Sequence, residues 1–380
     1  MGKCQFTQPS KIKGGVTINR NEMITIADSH IMPTVSELYG LEGHKISVVR
    51  AHQGGRNLVY SCEKSGTKTK MLRIICRNEK RRKEDVLAEM EYVRYLYDNG
   101  AAVSNVIDSQ NGNLAEVIVH DGYTFFISLF EKANGKQFHE NGYRYREGVS
   151  VNEYYYNCGK TLGKIHQLSK SYIPIHSRHN FTDSAFRFNA GYVHRLIPKS
   201  LPLLKEKMLE LIDNMERLDK CRESFGMIHF DYNDGNYSVD FDTGHINVYD
   251  FDESCFYWYM FDLASVWISG VGWIQSEVDV HKRWEFMDKY FETVLTGYRT
   301  ETGLSDSELN KLPLFIQVYQ MDAILHGFEE MLDNGSKTES DGELAYHIKC
   351  LEEDIPFIGF FHEIFSCDKP FEYEIQKSMK

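Results

Sequence analysis

One segment near the middle of the chain concentrates side chains that can move protons and bind cations. It runs His229-Phe230-Asp231-Tyr232-Asn233-Asp234-Gly235-Asn236, and Asp250-Phe251-Asp252 follows it. An Asp, an Asn five positions later and a carboxylate 14 residues after that Asn form the spacing of a phosphoryl-transfer site. In such a site one carboxylate orients a hydroxyl and takes its proton, while an amide oxygen and a second carboxylate hold Mg²⁺ against nucleotide phosphates.

The same residues also fit an ordinary loop, because Asp, Asn and Gly are the commonest turn formers. On that interpretation Asp231 and Asp234 are turn residues, and Asp250 simply follows a strand. The apolar pairs Met227-Ile228 and Val248-Tyr249, which precede the two groups of carboxylates, favour a buried site instead.

A hairpin is needed to bring these groups together. Tyr237–Val239 and Ile246–Tyr249 read as short strands, and they flank the turn sequence Asp240-Phe241-Asp242-Thr243-Gly244. Since two antiparallel strands return the chain to its starting level, this hairpin would place Asp250 beside Asn236.

The chain before residue 134 has the pattern of a sheet with one helix. Apolar residues from Val86 to Tyr97 recur at helical spacing, and Asn99-Gly100 ends that helix. Asp121-Gly122 is a hairpin signal. Residues 1–35 have little period, which predicts an extension or a loosely packed strand. The predicted strands are Ile46–Val49, Leu58–Cys62, Met71–Cys76, Glu116–His120 and Tyr123–Leu129.

After Asn134 the pattern becomes mainly helical. The sequence therefore predicts an α+β fold with an N-terminal extension at 1–35, a sheet domain at 36–133 and a helical domain at 134–380, with a cleft between the last two. The helical domain would carry Asp231, Asn236 and Asp250. Its predicted helices are Val151–Leu168, Lys205–Leu218, Val278–Leu295 and Leu312–Leu332.

Composition excludes several classes of protein. The 380 residues are 42% hydrophobic, which is enough to bury the cores of two domains. A formal net charge of −12 argues against nucleic-acid partners and anionic membranes. No apolar stretch has the roughly 18 residues of a membrane span, so we expect no membrane insertion. Eight scattered cysteines indicate free thiols and a cytoplasmic location, and nothing indicates the oligomeric state.

The strings HFDYNDGN and NVYDFDES resemble the catalytic and metal loops of the aminoglycoside phosphotransferase and choline kinase superfamily. This superfamily is the small-molecule branch of the protein-kinase-like fold, so the resemblance implies a two-lobed protein-kinase-like architecture. The resemblance also implies that residues 36–133 form the nucleotide-binding lobe and that residues 134–380 carry the catalytic loop, the metal loop and the substrate region. It covers about residues 36–270. Supporting strings occur in family order at 38–40 (LYG), 54–60 (GGRNLVY), 72–74 (LRI), 162–166 (LGKIH) and 262–264 (DLA).

The resemblance implies a role for each residue that matches a family position. Asp231 corresponds to the catalytic base. Asn236 and Asp250 correspond to the ligands of Mg²⁺. Gly54 and Gly55 correspond to the turn that lies over the nucleotide phosphates.

Arg73 falls where the family has a phosphate-contacting Lys, and Glu89 falls where a helix carboxylate pairs with that cation. The residues themselves support the pair, because Arg73 lies in an apolar strand and a buried cation requires a carboxylate. Arg is a planar fork and not a point charge, so Lys70 or Arg77 could take the role instead.

Neighbouring polar residues are expected to support these loops. His229 and His166 are predicted to be structural hydrogen-bond partners, as single histidines usually are. Asp234 and Asp252 would support the loops or touch the substrate. Asp262, just before Leu263, is predicted to cap the N-terminus of a helix near the metal loop.

Together these features predict a kinase for a small-molecule hydroxyl that uses ATP (or GTP) and Mg²⁺. Backbone groups of the segment from Leu129 through Glu131 to Ala133 would hold the adenine. A catalytically silent nucleotide-binding module of the same fold is one alternative, and a kinase of a sugar or homoserine-like substrate is another. A protein kinase is disfavoured, since no Ala-Pro-Glu string follows Asp250.

Acidic residues near the C-terminus suggest the charge of the acceptor. Residues 301–380 contain 17 Asp and Glu but only 6 Lys and Arg. Glu329, Glu330 and Asp333 cluster on one predicted helix, and family members use these last helices to wall the acceptor pocket. Such a wall would attract a cation such as an aminoglycoside, choline or ethanolamine, although a solvated acidic surface fits equally well.

Overall fold

The structure is a computed structural model, and it describes residues 20–49, 57–76, 82–176, 188–334, 341–355 and 357. Contacts between residues divide the chain into two compact units. The first comprises Met1–Met90 and Asn105–Lys132, and the second comprises Glu91–Ser104 and Ala133–Lys380. The three-part division predicted from the sequence stays a prediction.

The described residues of the first unit form an antiparallel sheet of six strands, one more than predicted. Their order is β1-β2-β3-β6-β4, and β5 also pairs with β6. The strand that the sequence did not reveal is β4, which is two residues long and thus too short to show alternation. The strands are β1 Lys45–Val48, β2 Leu58–Glu63, β3 Lys70–Cys76, β4 Val106–Ile107, β5 Glu116–His120 and β6 Tyr123–Glu131.

The predicted hairpin at Asp121-Gly122 is confirmed. His120 pairs with Tyr123 across the turn, and both turn residues have positive φ, at 48° for Asp121 and 82° for Gly122. Two residues with positive φ match the right-handed twist of the strands, which is why this dipeptide so strongly favours a tight turn.

The two faces of the sheet bury different partners, because successive strand residues point to opposite sides. Ile75 and Phe126 pack on one face with Val86 and Met90 of helix α3 (Lys83–Asp98). Leu72 and its even-numbered neighbours pack on the other face. That second cluster contains Leu58, Tyr60, Leu72, Ile74, Met23, Ala27, Ile31 and Val35.

The second face is covered by a helical segment near the N-terminus. It comprises α1 (Arg20–Ile26), a π-helical turn (Ala27–Ile31) and α2 (Met32–Tyr39), so the predicted alternative of a loosely packed strand is wrong for residues 20–35. Gly40 ends α2 in the left-handed conformation, at φ 59°. The Tyr39 hydroxyl donates to the carbonyl of Ile127 at 2.9 Å, which ties the end of α2 to the sheet.

The second unit contains the predicted helices and several that the sequence did not reveal. Periodicity located α4 (Asn152–Ser169), α6 (Pro202–Glu216), α8 (Val280–Arg299) and α10 (Leu312–Asn334) to within a few residues. The additional helices are α5 Ala190–Leu196, α7 Tyr259–Ile274, α9 Asp306–Leu309 and α11 Asp341–Glu352. Helix α7 is apolar all round, so it shows no helical period, as expected of a buried helix.

Glycines let α4 and α8 approach each other closely. A Cβ on Gly159 would overlap the carbonyl of Val294, and a Cβ on Gly297 would overlap the carbonyl of Tyr156. Backbone thus packs directly against backbone at this crossing.

Two small antiparallel ribbons complete the second unit. Strand β7 (Phe225–Ile228) pairs with β10 (Cys255–Trp258), and β8 (Tyr237–Val239) pairs with β9 (Ile246–Val248). The second ribbon is the predicted hairpin, and the first was not predicted. Within the part of the chain that the structure describes, no helix is long and apolar enough to cross a membrane.

Candidate functional site

The loop that carries Asp231 is anchored on helix α7. The carboxylate of Asp262 accepts two backbone N–H groups, from His229 at 2.9 Å and from Phe230 at 2.8 Å. One turn later, the Ser265 hydroxyl donates to the carbonyl of Tyr232 at 3.2 Å. Asp262 is fully buried, so these bonds form in a medium that strengthens them.

Asp262 is therefore a clamp on the loop and not the predicted helix cap. The N-cap position of α7 is Trp258, which makes no side-chain cap bond. Asp262 also accepts from Nε2 of His166 at 3.1 Å, and Nδ1 of His166 lies 2.9 Å from the Tyr298 hydroxyl. Burial lowers the pKa of His166, so the ring is neutral and acts as the predicted structural hydrogen-bond partner.

Left-handed backbone occurs on both sides of the site. Phe230, just before the predicted base, has φ 72°, and Asp250 has φ 63°. Such conformations cost non-glycine residues about 1–3 kcal/mol and persist only where surrounding contacts enforce them. For Phe230 the enforcing contact is the N–H donated to Asp262.

Two amides hold the carboxylate of Asp231. Asn233 Nδ2 donates to Oδ1 at 2.6 Å, and Asn236 Nδ2 donates to Oδ2 at 2.7 Å. Burial raises the pKa of Asp231, the Asn236 bond lowers it, and the negative charges of Asp252, Glu253 and Asp322 raise it; the net result is a pKa of about 7. A carboxylate with a pKa near neutrality suits general-base catalysis at physiological pH.

The hairpin returns Asp250 to the level of Asn236, as predicted. Tyr237 pairs with Val248, and the N–H of Tyr249 donates to the carbonyl of Asn236 at 2.9 Å. The amide of Asn236 points its nitrogen at Asp231, which leaves its oxygen as the end that can bind a cation. The roles of Asn236 and Asp250 as metal ligands stay predictions.

His229 joins the two loops. Its Nε2 lies 3.1 Å from the carbonyl of Tyr249, the residue before Asp250, and burial lowers the pKa of the ring. A neutral imidazole that donates to a backbone carbonyl is a loop support. Asp252 lies in the short 3₁₀ helix Phe251–Glu253 that follows Asp250, and Asp234 is exposed three residues after Asp231.

The first unit contains the predicted pair of Arg73 and Glu89. Arg73 Nη1 lies 2.8 Å from Glu89 Oε1, and the two side chains are only 6% and 1% exposed. The guanidinium also lies over the ring of Phe130, at 5.1 Å from its centroid. Lys70 lies three positions before Arg73 on the strand and thus points to the opposite face, away from Glu89.

We expect Arg73→Lys to raise the Michaelis constant for ATP about tenfold, because an ammonium cannot reproduce the planar fork of a guanidinium. Glu89→Gln should raise it less. The control is Lys70→Ala on the opposite face of β3, which should leave the constant unchanged. ATP affinity that disappears in Lys70→Ala and survives in Arg73→Lys would transfer the role to Lys70.

The structure gives less information on the other residues that are predicted to contact the nucleotide. Gly54 and Gly55, and the alternative cation Arg77, lie outside the described residues. Leu129 is buried in β6, and the N–H of Glu131 donates to the carbonyl of Asn105 at 2.9 Å. That N–H is therefore occupied within the sheet, and adenine contacts by this segment stay a prediction.

A cavity of about 290 Å³ adjoins the loop that carries Asp231, in the second unit. Tyr232 and Asp234 of that loop line it, together with residues of α7 and α10 that include Trp273 and Tyr319. Glu329, ten residues after Tyr319 on α10, lies about 15 Å farther along the helix axis and is not in the lining. The side chains of Glu330 and Asp333 lie outside the described residues, so the acidic wall stays a prediction.

Sequence reasoning missed Asp262 as a clamp and the residues of the cavity wall. A signal for Asp262 was present, since a single carboxylate inside the apolar run from Phe261 to Trp267 must have buried partners. Trp273 and Tyr319 gave no such signal, because an aromatic residue on a helix is usually core.

Comparison with known proteins agrees with this geometry. The model of the phosphotransferase enzyme family (APH) matches residues 47–293. Amicoumacin kinase of Bacillus subtilis (strain 168) is 24% identical over 337 residues, which is 87% of this chain and 95% of that protein. A solved structure of amicoumacin kinase hAmiN in complex with AMP-PNP, Ca²⁺ and Ami has a TM-score of 0.74 at 21% identity, over 91% of this chain and 99% of that one.

A solved microcompartment-associated aminopropanol kinase has a TM-score of 0.62 at 18% identity, over 88% of this chain and 99% of the other. These structural likenesses confirm the predicted α+β, protein-kinase-like fold.

Proposed function

Because the chain belongs to the phosphotransferase enzyme family and is thus a small-molecule phosphotransferase, we propose that it transfers the γ-phosphoryl group of ATP (or GTP) to a hydroxyl, with Mg²⁺ as cofactor. The single observation that carries the proposal is the geometry around Asp231. Its carboxylate bonds to Asn236, and a hairpin places Asp250 beside that Asn.

The proposed step is a displacement at phosphorus. The acceptor oxygen forms a bond to the γ-phosphorus, the bond from that phosphorus to the β-bridging oxygen breaks, and the hydroxyl proton passes to Asp231. Asn233 and Asn236 fix the carboxylate, so its free lone pairs have a defined direction. Such positioning supplies most of the rate enhancement in phosphoryl transfer.

The oxygen donors at the two ends of the β8–β9 hairpin fit Mg²⁺. They are the amide oxygen of Asn236 before the hairpin and the carboxylate of Asp250 after it, which are hard oxygen ligands. Mg²⁺ commonly binds one or two protein oxygens together with nucleotide phosphates, and when bound it neutralises charge on the transferring group. No cluster of three or more His, Cys, Asp or Glu that could hold a metal occurs among the described residues, and a nucleotide-bound Mg²⁺ does not need one.

Asp250→Ala should weaken binding of Mg·ATP about ten- to a hundredfold while binding of ADP without metal stays unchanged, because only the metal contact is lost. Isothermal titration with and without Mg²⁺ measures both. The matched control is Asp242→Ala, an exposed carboxylate at the far end of the same hairpin. Equal loss of metal-free ADP binding in Asp250→Ala would contradict the assignment.

The rate should depend on the ionisation of Asp231. Since burial and the neighbouring Asp252, Glu253 and Asp322 raise its pKa to about 7, the base is protonated and inactive at acidic pH. We expect kcat/KM for the acceptor to rise about tenfold per pH unit up to about pH 7 and then to level off. Nucleotide affinity measured over the same range is the control. A flat profile between pH 5.5 and 8 would exclude Asp231 as the base.

We also propose that the acceptor is cationic, as an aminoglycoside or an amino alcohol is. Asp234, a carboxylate that lines the cavity, supports this charge. The proposed compartment is the cytoplasm, which agrees with the free thiols of Cys62, Cys76, Cys158, Cys221, Cys255 and Cys350.

The decisive experiment is transfer of label from [γ-³²P]ATP to a panel of amino alcohols, aminoglycosides, sugars and a generic protein, with Mg²⁺ or with a chelator. We expect Mg²⁺-dependent labelling of an amine-bearing alcohol. Nucleotide binding without transfer to any acceptor would instead indicate a silent binding module, and labelling of a neutral sugar would overturn the cationic acceptor.

A further inference from the structure

A short segment of the second unit lies along strand β8. The N–H of Lys136 donates to the carbonyl of Val239 at 3.0 Å, and the N–H of Val239 donates to the carbonyl of Lys136 at 2.8 Å. The Ser238 hydroxyl also donates to the carbonyl of Asn134. Because these bonds hold the chain against one edge of the β8–β9 hairpin, we call residues 134–137 the strap.

Gly135 makes this close approach possible. Its φ of 86° lies in the left-handed region that favours glycine. A Cβ on Gly135 would lie 2.1 Å from the carbonyl oxygen of Val239, which is far inside van der Waals contact. The main chain of the strap therefore packs directly on the main chain of β8, and the residue that ends the strap starts from a fixed point.

Gln137 ends the strap, and both polar groups of its main chain are bonded. Its N–H donates to the carboxylate of Glu140 at 2.8 Å, and its carbonyl accepts the N–H of Glu140 at 3.1 Å. The side chain of Gln137 is half-buried. A main chain fixed in this way restricts the directions in which the side-chain amide can point.

The amide of Gln137 contacts the residue before each predicted metal ligand. Its Nε2 donates to the carbonyl of Gly235, which precedes Asn236. The same side chain hydrogen-bonds the hydroxyl of Tyr249, which precedes Asp250. One amide thus joins the turn that enters the β8–β9 hairpin to the residue that leaves it.

The other edge of the hairpin is bonded too. The N–H of Ser104 donates to the carbonyl of Val248 at 2.9 Å, and the N–H of Val248 donates to the carbonyl of Ala102 at 2.9 Å. With both edges bonded, the two strands have little freedom to move. The freedom that remains lies just outside the strands, where Asn236 and Asp250 are found, and the amide that joins the two ends restricts it.

We propose that Gln137 is a positioning residue that fixes the separation between the Asn236 amide oxygen and the Asp250 carboxylate and so favours Mg²⁺ over Ca²⁺. The inference rests on the proposed function, because it takes Asn236 and Asp250 as the metal ligands. Mg²⁺ requires near-ideal octahedral geometry with oxygens at about 2.0–2.1 Å, whereas Ca²⁺ accepts a flexible set of oxygens at about 2.3–2.6 Å. A fixed separation between two ligands therefore matters more for Mg²⁺.

The test compares the two ions at one site. Isothermal titration of the full chain with ADP, in excess Mg²⁺, in excess Ca²⁺ and in a chelator, gives three affinities. Gln137→Met keeps the length of the side chain and removes its hydrogen-bond donor. This variant should weaken binding of Mg·ADP about tenfold, of Ca·ADP less than about threefold and of metal-free ADP less than about twofold.

Two further variants accompany Gln137→Met. His139→Met is the matched control, since it makes the same substitution at an exposed residue two positions later, and it should change none of the three affinities. Tyr249→Phe removes only the hydroxyl partner of the amide and should weaken Mg·ADP about threefold with Ca·ADP unchanged. Because both variants break one set of contacts, the double variant should lose less Mg·ADP affinity than the product of the two single losses.

A melting curve of each variant shows that it is folded at the temperature of the titration. If Gln137→Met does not fold, the same comparison of Mg·ADP with Ca·ADP in Tyr249→Phe decides the question. Equal losses for the two ions would mean that the amide supports only the fold, and they would overturn the inference. Parent affinity for Mg·ADP in both variants would overturn it as well.

Failure of the proposed function looks different in the same titrations. Unchanged Mg·ADP affinity in Asp250→Ala would refute the metal ligands, and the inference about Gln137 would fall with them. Loss of Mg·ADP affinity in Asp250→Ala beside parent affinity in Gln137→Met would refute the inference alone and leave the proposed function standing.

Discussion

Asp231→Asn should lower kcat about a thousandfold, with Mg·ADP affinity unchanged within about twofold. An amide cannot accept the hydroxyl proton, and general-base catalysis contributes about 10²–10⁴ to the rate. Nucleotide binding survives because the metal contact proposed for Asp250 is untouched. Single-turnover transfer and isothermal titration measure the two quantities separately.

A melting curve separates loss of chemistry from loss of folding. The pKa of Asp231 is about 7 in the folded chain, above its ordinary value of 3.8, so the folded state binds the proton more tightly than the unfolded chain does. Ionisation of Asp231 therefore reduces the stability of the folded chain as the pH rises from 3.8 to about 7. The amide of the Asp231→Asn variant cannot ionise, so this variant does not lose that stability. The melting temperature of this variant minus that of the parent should thus be larger at pH 8 than at pH 5. Turnover of the Asp231→Asn variant near the parent rate would contradict the assignment of Asp231 as the base.

Asp262→Ala should lower the free energy of unfolding by about 3–5 kcal/mol, because it removes the buried acceptor of two backbone N–H groups and of His166. Urea denaturation measures this loss. Well below the melting temperature, kcat should also fall about a hundredfold while the Michaelis constant for ATP stays near the parent value. This split is expected because Phe230 would leave its left-handed conformation and displace Asp231.

Two further variants test whether Asp262 acts as a positioning residue. Asp262→Asn keeps one acceptor oxygen and should have an intermediate effect on kcat. Tyr298→Phe removes only the far hydrogen bond of His166 and should cost about 1 kcal/mol with little change in kcat. A drop in kcat that simply followed stability across the three variants would contradict the positioning role.

The sequence predicted best where a pattern is local. The Asp121-Gly122 hairpin, the amphipathic helix α4 and the β8–β9 ribbon all depend on neighbours within about twenty residues, and each is present. The Arg73–Glu89 pair was also predictable, because a cation in an apolar strand requires a carboxylate on the covering helix.

Contacts between segments that are distant in the chain were harder to predict from the sequence. Helix α7 is apolar on every side and thus lacks a period, so its start was not evident and Asp262 was mistaken for a cap. The cavity wall combines residues from Tyr154 to Phe357, whose proximity follows only from tertiary packing. For the same reason the acidic wall that the C-terminal residues suggested stays a prediction.

The helical segment at residues 20–39 has a practical consequence for producing the protein in shortened form. A chain that began at residue 40 would present Leu58, Tyr60, Leu72 and Ile74 to water as one continuous apolar surface. Exposed patches of this kind drive self-association. A stretch that the sequence predicts to be an extension or a loosely packed strand therefore sets a lower limit on the length of chain that stays monodisperse, and trimming for crystallisation should stop before Arg20.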